Sequence, residues 1–511
     1  MSLLTNIEKS LNQNVLTANG AVTNKSSLDK SVDYFSLAGA MRNSPQDAVD
    51  LFIDAYNTNP TEALKILFYL RDIRGGQGER QHFRNVWDWL MLPHPTIDNN
   101  VLSNTRNNAY HIPEFGRWDD LLRLVIHPAL SRAIERTVKT TLQLDCLNSE
   151  YDQKDFIPTE YLLTEKPSPD RVSLLAKWMP SLTASNKDVQ QSAKDWCDRL
   201  NLTQKQYRKM LKHLRSHLNV VEQKMCSKNW SDIDYASVPS QAMLRLRNAF
   251  QRNDADRWKT YINKLEEGEE KVNASTLYPH QIVTKLLEPS SEYNDHAILE
   301  SQWKALPEYG EPQNILCVCD VSGSMDSLVD RYTQAVDVAI ALTLYTTQRC
   351  TPEWANKFIT FSENPELQEI NPLNSLKKQI DKLTRADWGC TTNIEKVFDL
   401  ILANTPSNEV LPDTIMIISD MEFNEATEGK TNYEGIDRKF KLQNLTPPNL
   451  VFWNVMARGN NYPVTINNNG TAMVSGFSPA ILQMCFAGDI SPRNVLETLV
   501  LKNPRYDLIT A

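Results

Sequence analysis

The residues best placed to do chemistry lie at 320–324. Asp320-Val-Ser322-Gly-Ser324 sets a carboxylate and two hydroxyls at i, i+2 and i+4, directly after the apolar run Asn314-Ile-Leu-Cys-Val-Cys319. A short continuous apolar run reads as a buried parallel strand. Ligands of an open α/β sheet bind beyond the carboxyl ends of such strands. Hard oxygen donors at this density suit Mg²⁺ or Mn²⁺, which favour octahedral oxygen geometry and keep waters. Two more loops are expected to converge there. Trp388-Gly-Cys-Thr-Thr-Asn-Ile394 precedes a helix and offers the Thr392 hydroxyl, with Thr391 as the alternative. Ile418-Ser-Asp420 ends another apolar run, and Asp420 can accept from metal-bound water. The competing reading, that Ser322 and Ser324 only cap the next helix, leaves the other two loops unexplained.

These loops need a sheet to position them. Apolar runs at 357–362, 414–419 and 450–456 resemble the one at 314–320, and helical patterns lie between them at 327–348, 375–383, 393–404 and 434–443. Strand alternating with helix predicts a doubly wound, Rossmann-like α/β domain over residues 313–511. Before residue 310 strand patterns are almost absent. Ser44-Pro45-Gln46-Asp47 reads as an N-cap, a first-turn proline and an acidic third position. Ala48, Leu51, Phe52 and Ala55 follow at helical spacing, and Asn59-Pro60-Thr61-Glu62 repeats the grammar. A three-to-four-residue turn would make these two an αα-hairpin. Helices are also predicted near 79–91, 98–109, 117–125, 128–144, 170–178, 187–199, 203–218, 239–251, 254–266 and 279–287. Stacked helix pairs in an α-solenoid, with degenerate repeats, are the natural architecture for residues 35–300. Residues 1–34 read as a polar tail or arm, and 300–312 as a linker.

Composition narrows the function. The 511 residues carry a net charge of −9, which excludes a globally basic nucleic-acid binder but not a local basic patch. Eight scattered cysteines without a C-x-x-C pair argue against a zinc site or a disulfide framework. No apolar stretch is long enough to span a membrane, and the start lacks a secretory pattern. A cytoplasmic protein is expected, in the host cytoplasm if viral. There is no G-x-S-x-G, H-E-x-x-H or Walker A pattern, the eight histidines are dispersed, and the metal loops hold too few carboxylates for two-metal chemistry. An enzyme is not expected.

Residues 201–230 hold seven Lys/Arg against the single acid Glu222. Lys205, Arg208, Lys209, Lys212 and Arg215 fall on one face of a helix, opposite Tyr207, Leu211, Leu214 and Leu218. Such a stripe is either a phosphate-contact surface or an ordinary solvated face. A second cluster, Arg71-Asp-Ile-Arg74-Gly-Gly-Gln-Gly-Glu-Arg80, either lets the backbone approach a phosphate or is a glycine-terminated helix turn. Arg117 is expected to pair with a carboxylate, Trp118 and Trp178 to pack inward, and Lys177 to be exposed.

DVSGSM, TTNI and ISD, in that order at predicted strand ends, resemble the von Willebrand factor A domain and its metal-ion-dependent adhesion site. The resemblance implies that Asp320, Ser322, Ser324 and Thr392 surround a divalent ion, with Asp420 acting through water and one position open for a protein carboxylate. Mg²⁺ is implied first, Mn²⁺ or Ca²⁺ as alternatives. The family often has glycine after the last Asp, whereas this chain has Met421. A helical region followed by an A domain resembles the TROVE proteins, in which a HEAT-like helical ring is closed by the A domain. LFYLRDIRGGQGER, FGRWDDLL, LLAKWMP, VVEQKMCSKNW and VNASTLYPHQIV look closer still to an uncharacterised TROVE-like family. The resemblance implies an RNA-binding scaffold for small non-coding or misfolded RNA, with Lys205, Arg208, Lys209, Lys212, Arg215, Arg74 and Arg80 on phosphates. The alternative is a metal-dependent protein-interaction or assembly module without RNA.

Overall fold

In a computed structural model of the full chain, the structure describes residues 14–94, 97–151, 156, 171–288, 293–361, 365–385, 392–405, 411–425, 430–486 and 490–511. It opens with a hairpin, β1 (Asn14–Leu16) and β2 (Val22–Asn24), and α1 (Lys30–Leu37). Next come α2 (Pro45–Thr58) and α3 (Pro60–Arg71). A single residue joins this pair, shorter than the predicted turn. Asn59 closes α2 through its amide and caps α3, its side chain accepting from Glu62 N at 3.2 Å. Ser44 makes no side-chain cap bond, so the proline at the first position starts α2 unaided.

Helices then follow close to the predicted spans: α4 (Arg80–Leu90), α5 (Asn99–Asn107), α6 (Pro128–Asn148), α7 (Lys187–Leu200), α8 (Gln204–His217), α9 (Ser240–Asn253), α10 (Ala255–Glu266) and α11 (Pro279–Leu287). Of the span 170–178 only Leu175–Trp178 is α-helical among the described residues, because the Ser173 amide and hydroxyl are taken by Asp145. The expected linker at 300–312 needs correction: α12 (Tyr293–Lys304) enters it. Trp303 and Leu306 are buried, and Trp303 donates to Gln348 at 2.8 Å.

The α/β domain has β3 (Ile315–Cys319), α13 (Ala335–Thr347), β4 (Lys357–Thr360), β5 (Leu367–Glu369), α14 (Leu376–Thr384), β6 (Thr414–Ser419), β7 (Asn449–Asn454) and β8 (Thr471–Ser475), with α15 (Ile394–Ala403) before β6 and α16 (Asn432–Leu442) after it. The strand order β5-β4-β3-β6-β7-β8 is the doubly wound order, parallel except for β5 at the edge. All thirteen residues of α13 are buried, which explains why apolar residues occur on every side of it. It starts at residue 335, not 327. Asp330 accepts from the amides of Tyr332 and Thr333, a local turn that competes with helix.

The chain divides into two compact units that do not follow sequence order. The first joins residues up to Val86 with Pro239–Asn248 and everything from Tyr261 onward. In it, the polar segment behaves as an arm from residue 14. Ser475 of β8 holds α1 by accepting from Gly39 N (3.1 Å) and donating to the Phe35 carbonyl (3.3 Å). The second unit is Trp87–Val238 with Ala249–Thr260, and among its described residues the regular elements are all helices.

Candidate metal centre

β3 and β6 are parallel neighbours, in register from Ile315–Thr414 to Cys319–Ile418. Their carboxyl ends deliver Asp320 and Asp420 side by side, at the point where strand order reverses. Both side chains are fully buried. Asp320 Oδ1 accepts from Ser322 N at 2.9 Å and Oδ2 from Ser419 Oγ at 2.6 Å. Ser322 Oγ and Ser324 Oγ lie 3.1 Å apart, on a short 3₁₀ turn spanning 323–326. Four of the five predicted ligands, Asp320, Ser322, Ser324 and Asp420, are thus brought together.

The electrostatics are unbalanced. Burial lifts the Asp320 carboxyl above the ordinary carboxylate range, and the neighbouring Asp420 charge lifts it further. Burial also raises Asp420, opposed by the Glu422 amide, the Ser324 hydroxyl and Arg458. A third buried carboxylate, Glu422, is raised by burial as well. Among the described residues the cation set against these three is Arg458, two-fifths exposed, whose Nε sits 3.4 Å from Asp420 Oδ2. Its Nη2 donates instead to Ser324 O at 2.6 Å and Ser327 Oγ at 2.9 Å. Asp420 Oδ2 is left buried without a hydrogen-bond donor. An orphaned carboxylate oxygen beside two serine hydroxyls is a donor set that fits a hard divalent cation. Among the described residues no three carboxylate, imidazole or thiolate groups converge as a metal cluster on their own, so such an ion would rely on the hydroxyls and water.

Thr392 stands in an adjoining network. Its hydroxyl donates toward Glu422 O (3.1 Å) and Asn424 Oδ1 (2.9 Å), and accepts from Asn19 Nδ2 (3.2 Å). Thr391 lies outside the described residues. The arm makes most of this network. Ala18 N donates to Glu422 Oε2 at 2.5 Å, Asn19 Nδ2 to Glu422 O at 2.6 Å, and Thr17 Oγ1 to Phe423 O at 2.7 Å. Glu422, which also accepts from Asn461, and Asn19 were not legible as site residues. Their pairing spans some 400 positions and has no local pattern. Met421, in place of the family's glycine, has φ of +64°, the left-handed region glycine favours. Its side chain is buried alongside Leu37, Phe452 and Met473.

The basic candidates fall in both units. On α8, Lys205, Arg208, Lys209 and Lys212 are exposed, and Tyr207, Met210, Leu211 and Leu214 form the buried face. The helix is started by a capping box of Thr203 and Gln206. Arg215 turns inward, giving Nε to Ala176 O (2.9 Å) and Nη2 to Met179 O (2.7 Å). In the first unit Arg74 and Arg80 are exposed. The glycines between them serve the turn itself. A Cβ on Gly76 would lie 1.9 Å from the Tyr69 carbonyl oxygen, and Gly78 has φ of +68°. Arg117 lies over the half-buried Trp178 ring at 5.2 Å, a cation–π contact. Trp118 and Lys177 are also half-buried.

Residues 17–156 and 182–309, just over half of the chain, match a family described as a domain of unknown function, DUF2828. The chain belongs to the DUF2828 family. Its α/β domain matches a second domain of unknown function, DUF7788, over residues 314–499. An uncharacterized protein of Acanthamoeba polyphaga mimivirus is 30% identical over 485 residues, covering 88% of this chain and 81% of that protein. The expected kinship with an uncharacterised family is met, and that relative is viral. Among solved structures, the crystal structure of a Deinococcus radiodurans Ro (RSR) protein aligns over 93% of this DUF2828 chain and 99% of its own, at 13% identity and a TM-score of 0.40. The architecture of this DUF2828 member therefore rests on its own strand order and helices.

Proposed function

We propose that this DUF2828 protein is a non-enzymatic RNA-binding scaffold of the cytoplasm, with a divalent-metal site in its α/β domain. The observation that carries the RNA reading is the outer face of α8. Lys205, Arg208, Lys209 and Lys212 recur there at helical spacing, no acid lies on the helix, and none of the four has a carboxylate partner among the described residues. A solvated structural helix is normally laced with opposite charges; an uncompensated row is suited to a polyanion. Small non-coding or misfolded RNA is the proposed ligand, with Arg74 and Arg80 as a separate phosphate-contact patch. The metal, Mg²⁺ first and Mn²⁺ or Ca²⁺ as alternatives, would be held by Ser322 and Ser324 with Asp320, Asp420 and water. When bound it supplies a Lewis-acidic docking point for a protein carboxylate. The orphaned Asp420 oxygen favours the second reading, a metal-dependent protein-interaction module, should RNA fail to bind.

The test is RNA binding at ~50 and ~200 mM salt. Four phosphate contacts to single-stranded RNA give a slope near −3 in log K against log salt, a loss of ~50-fold across that range. Lys205→Glu with Lys209→Glu should flatten the slope and leave folding intact. Salt-independent binding, or an unchanged slope in the variant, would remove α8 from the account.

A further inference from the structure

A cavity of about 220 Å³ opens between the turn at 181–183 and α8, lined by Ser181, Thr183, Tyr207, Arg208, Lys212 and Arg215 with Leu182, Leu211 and Gln223. Every charged side chain in that wall is a cation. Arg215 is the informative one. It is half-buried, and its two carbonyl bonds fix the guanidinium plane while leaving Nη1 without a partner among the described residues. Neither Arg215, Arg208 nor Lys212 has a carboxylate partner among the described residues. Buried charges in proteins are ordinarily paired, since desolvation without a counter-charge is costly. Burial indeed lowers the Arg215 pKa, and the group acting against it is the Tyr207 phenol rather than a carboxylate. The floor is apolar: Leu211 is buried, and the Tyr207 ring is buried with its hydroxyl spent on Pro180 O at 2.8 Å. An apolar floor beneath the cations lowers the local dielectric on that side and so strengthens their field on an anion in the cleft. Two hydroxyls, Ser181 and Thr183, stand at the opposite rim 3.2 Å apart.

We infer that this cleft is a phosphate-monoester subsite, taking the terminal phosphate of a polynucleotide or of a free nucleotide. The volume is below that of an ordinary small-molecule pocket, and the guanidinium fork with hydroxyls suits tetrahedral oxyanion geometry. The inference deepens the RNA reading of α8 and rests on it for the polynucleotide source.

The test uses the full chain and 3′-labelled oligoribonucleotides that differ only in a 5′-monophosphate or 5′-hydroxyl, with AMP and inorganic phosphate as free probes. The phosphorylated oligonucleotide should bind about tenfold tighter or more, the scale of a charge-assisted contact. Arg208→Gln with Lys212→Gln should bring the ratio close to one. Lys205→Glu with Lys209→Glu, outside the cavity, should leave the ratio unchanged while lowering both affinities. Equal binding of the two oligonucleotides, or a ratio that survives Arg208→Gln with Lys212→Gln, overturns the subsite and leaves the RNA reading standing. Binding of AMP and phosphate that the double variant abolishes, with no oligonucleotide bound, supports the subsite for a free anion and overturns the RNA reading.

Discussion

Replacing Asp320 with Asn should raise the metal-free stability and abolish the stabilisation that a divalent cation gives. At a pH where carboxylates are ionised, the described residues of the site set three buried carboxylates, Asp320, Asp420 and Glu422, against one two-fifths-exposed guanidinium, Arg458. The deficit is two charges, which a divalent cation would cancel. Asp320→Asn removes one charge while keeping the acceptor for Ser322 N. The new amide can donate to Ser419 Oγ, which already accepts from Met421 N and has a second lone pair. Relief of burial and like-charge repulsion is worth on the order of 1–3 kcal/mol. At about 2 °C per kcal/mol for a unit of this size, the metal-free variant should melt roughly 2–6 °C above the unsubstituted protein. Mg²⁺ at 100 times its dissociation constant adds ~2.7 kcal/mol to the unsubstituted protein, or roughly 5 °C, and should add nothing to the variant. Calorimetry with chelator and with Mg²⁺ reads all four values. A variant that melts lower in chelator, or one that keeps the Mg²⁺ shift, would refute the reasoning.

Two further outcomes follow from buried groups. Met421→Gly relieves a left-handed conformation worth about 1–2 kcal/mol but deletes a buried side chain worth about 2–5 kcal/mol, so it should destabilise, though less than Met421→Ala, which keeps the strain. Denaturant melts give the order, and Ala matching or exceeding Gly would count against strain at 421. Burial pushes the Asp145 carboxyl up to about 6 from an ordinary 3.8, against the opposing Ser173 bonds. Its stabilising contribution is full below about pH 4 and lost as pH rises through about 6, up to about 3 kcal/mol. Asp145→Asn should abolish that part of the decline between pH ~4 and pH ~8, and a parallel decline in both proteins would contradict it.

The α/β core was legible because its strands are continuous apolar runs and its ligand loops sit where such runs end. What escaped reading had weaker local signals. β5 is a three-residue edge strand, β8 is the mixed run TAMVS, and α12 lacks a sharp apolar stripe. Four of the five candidate ligands could be expected to lie together from sequence because each follows its own strand or turn. The second layer, Glu422 with Asn19 and Ala18, depends on a contact between the two ends of the chain that no spacing encodes. The helical wheel of α8 sorted its faces correctly, yet Arg215 sits at the border, and its turn toward two carbonyls depends on where residues 176–179 pack.

The arm also sets an order of events during synthesis. Thr17 and Ala18 find their partners 406 and 404 residues later in the chain. At typical elongation rates of ~5–20 residues per second, the N-terminal hairpin waits roughly 20–80 s for Glu422 and Phe423 to emerge. A lone two-stranded ribbon is marginal in water, so β1–β2 stays unpartnered and open to rival strands throughout that interval. The first segment made is among the last to be seated, and a ribosome-bound fragment ending before residue 422 cannot close the wall of its own candidate metal site.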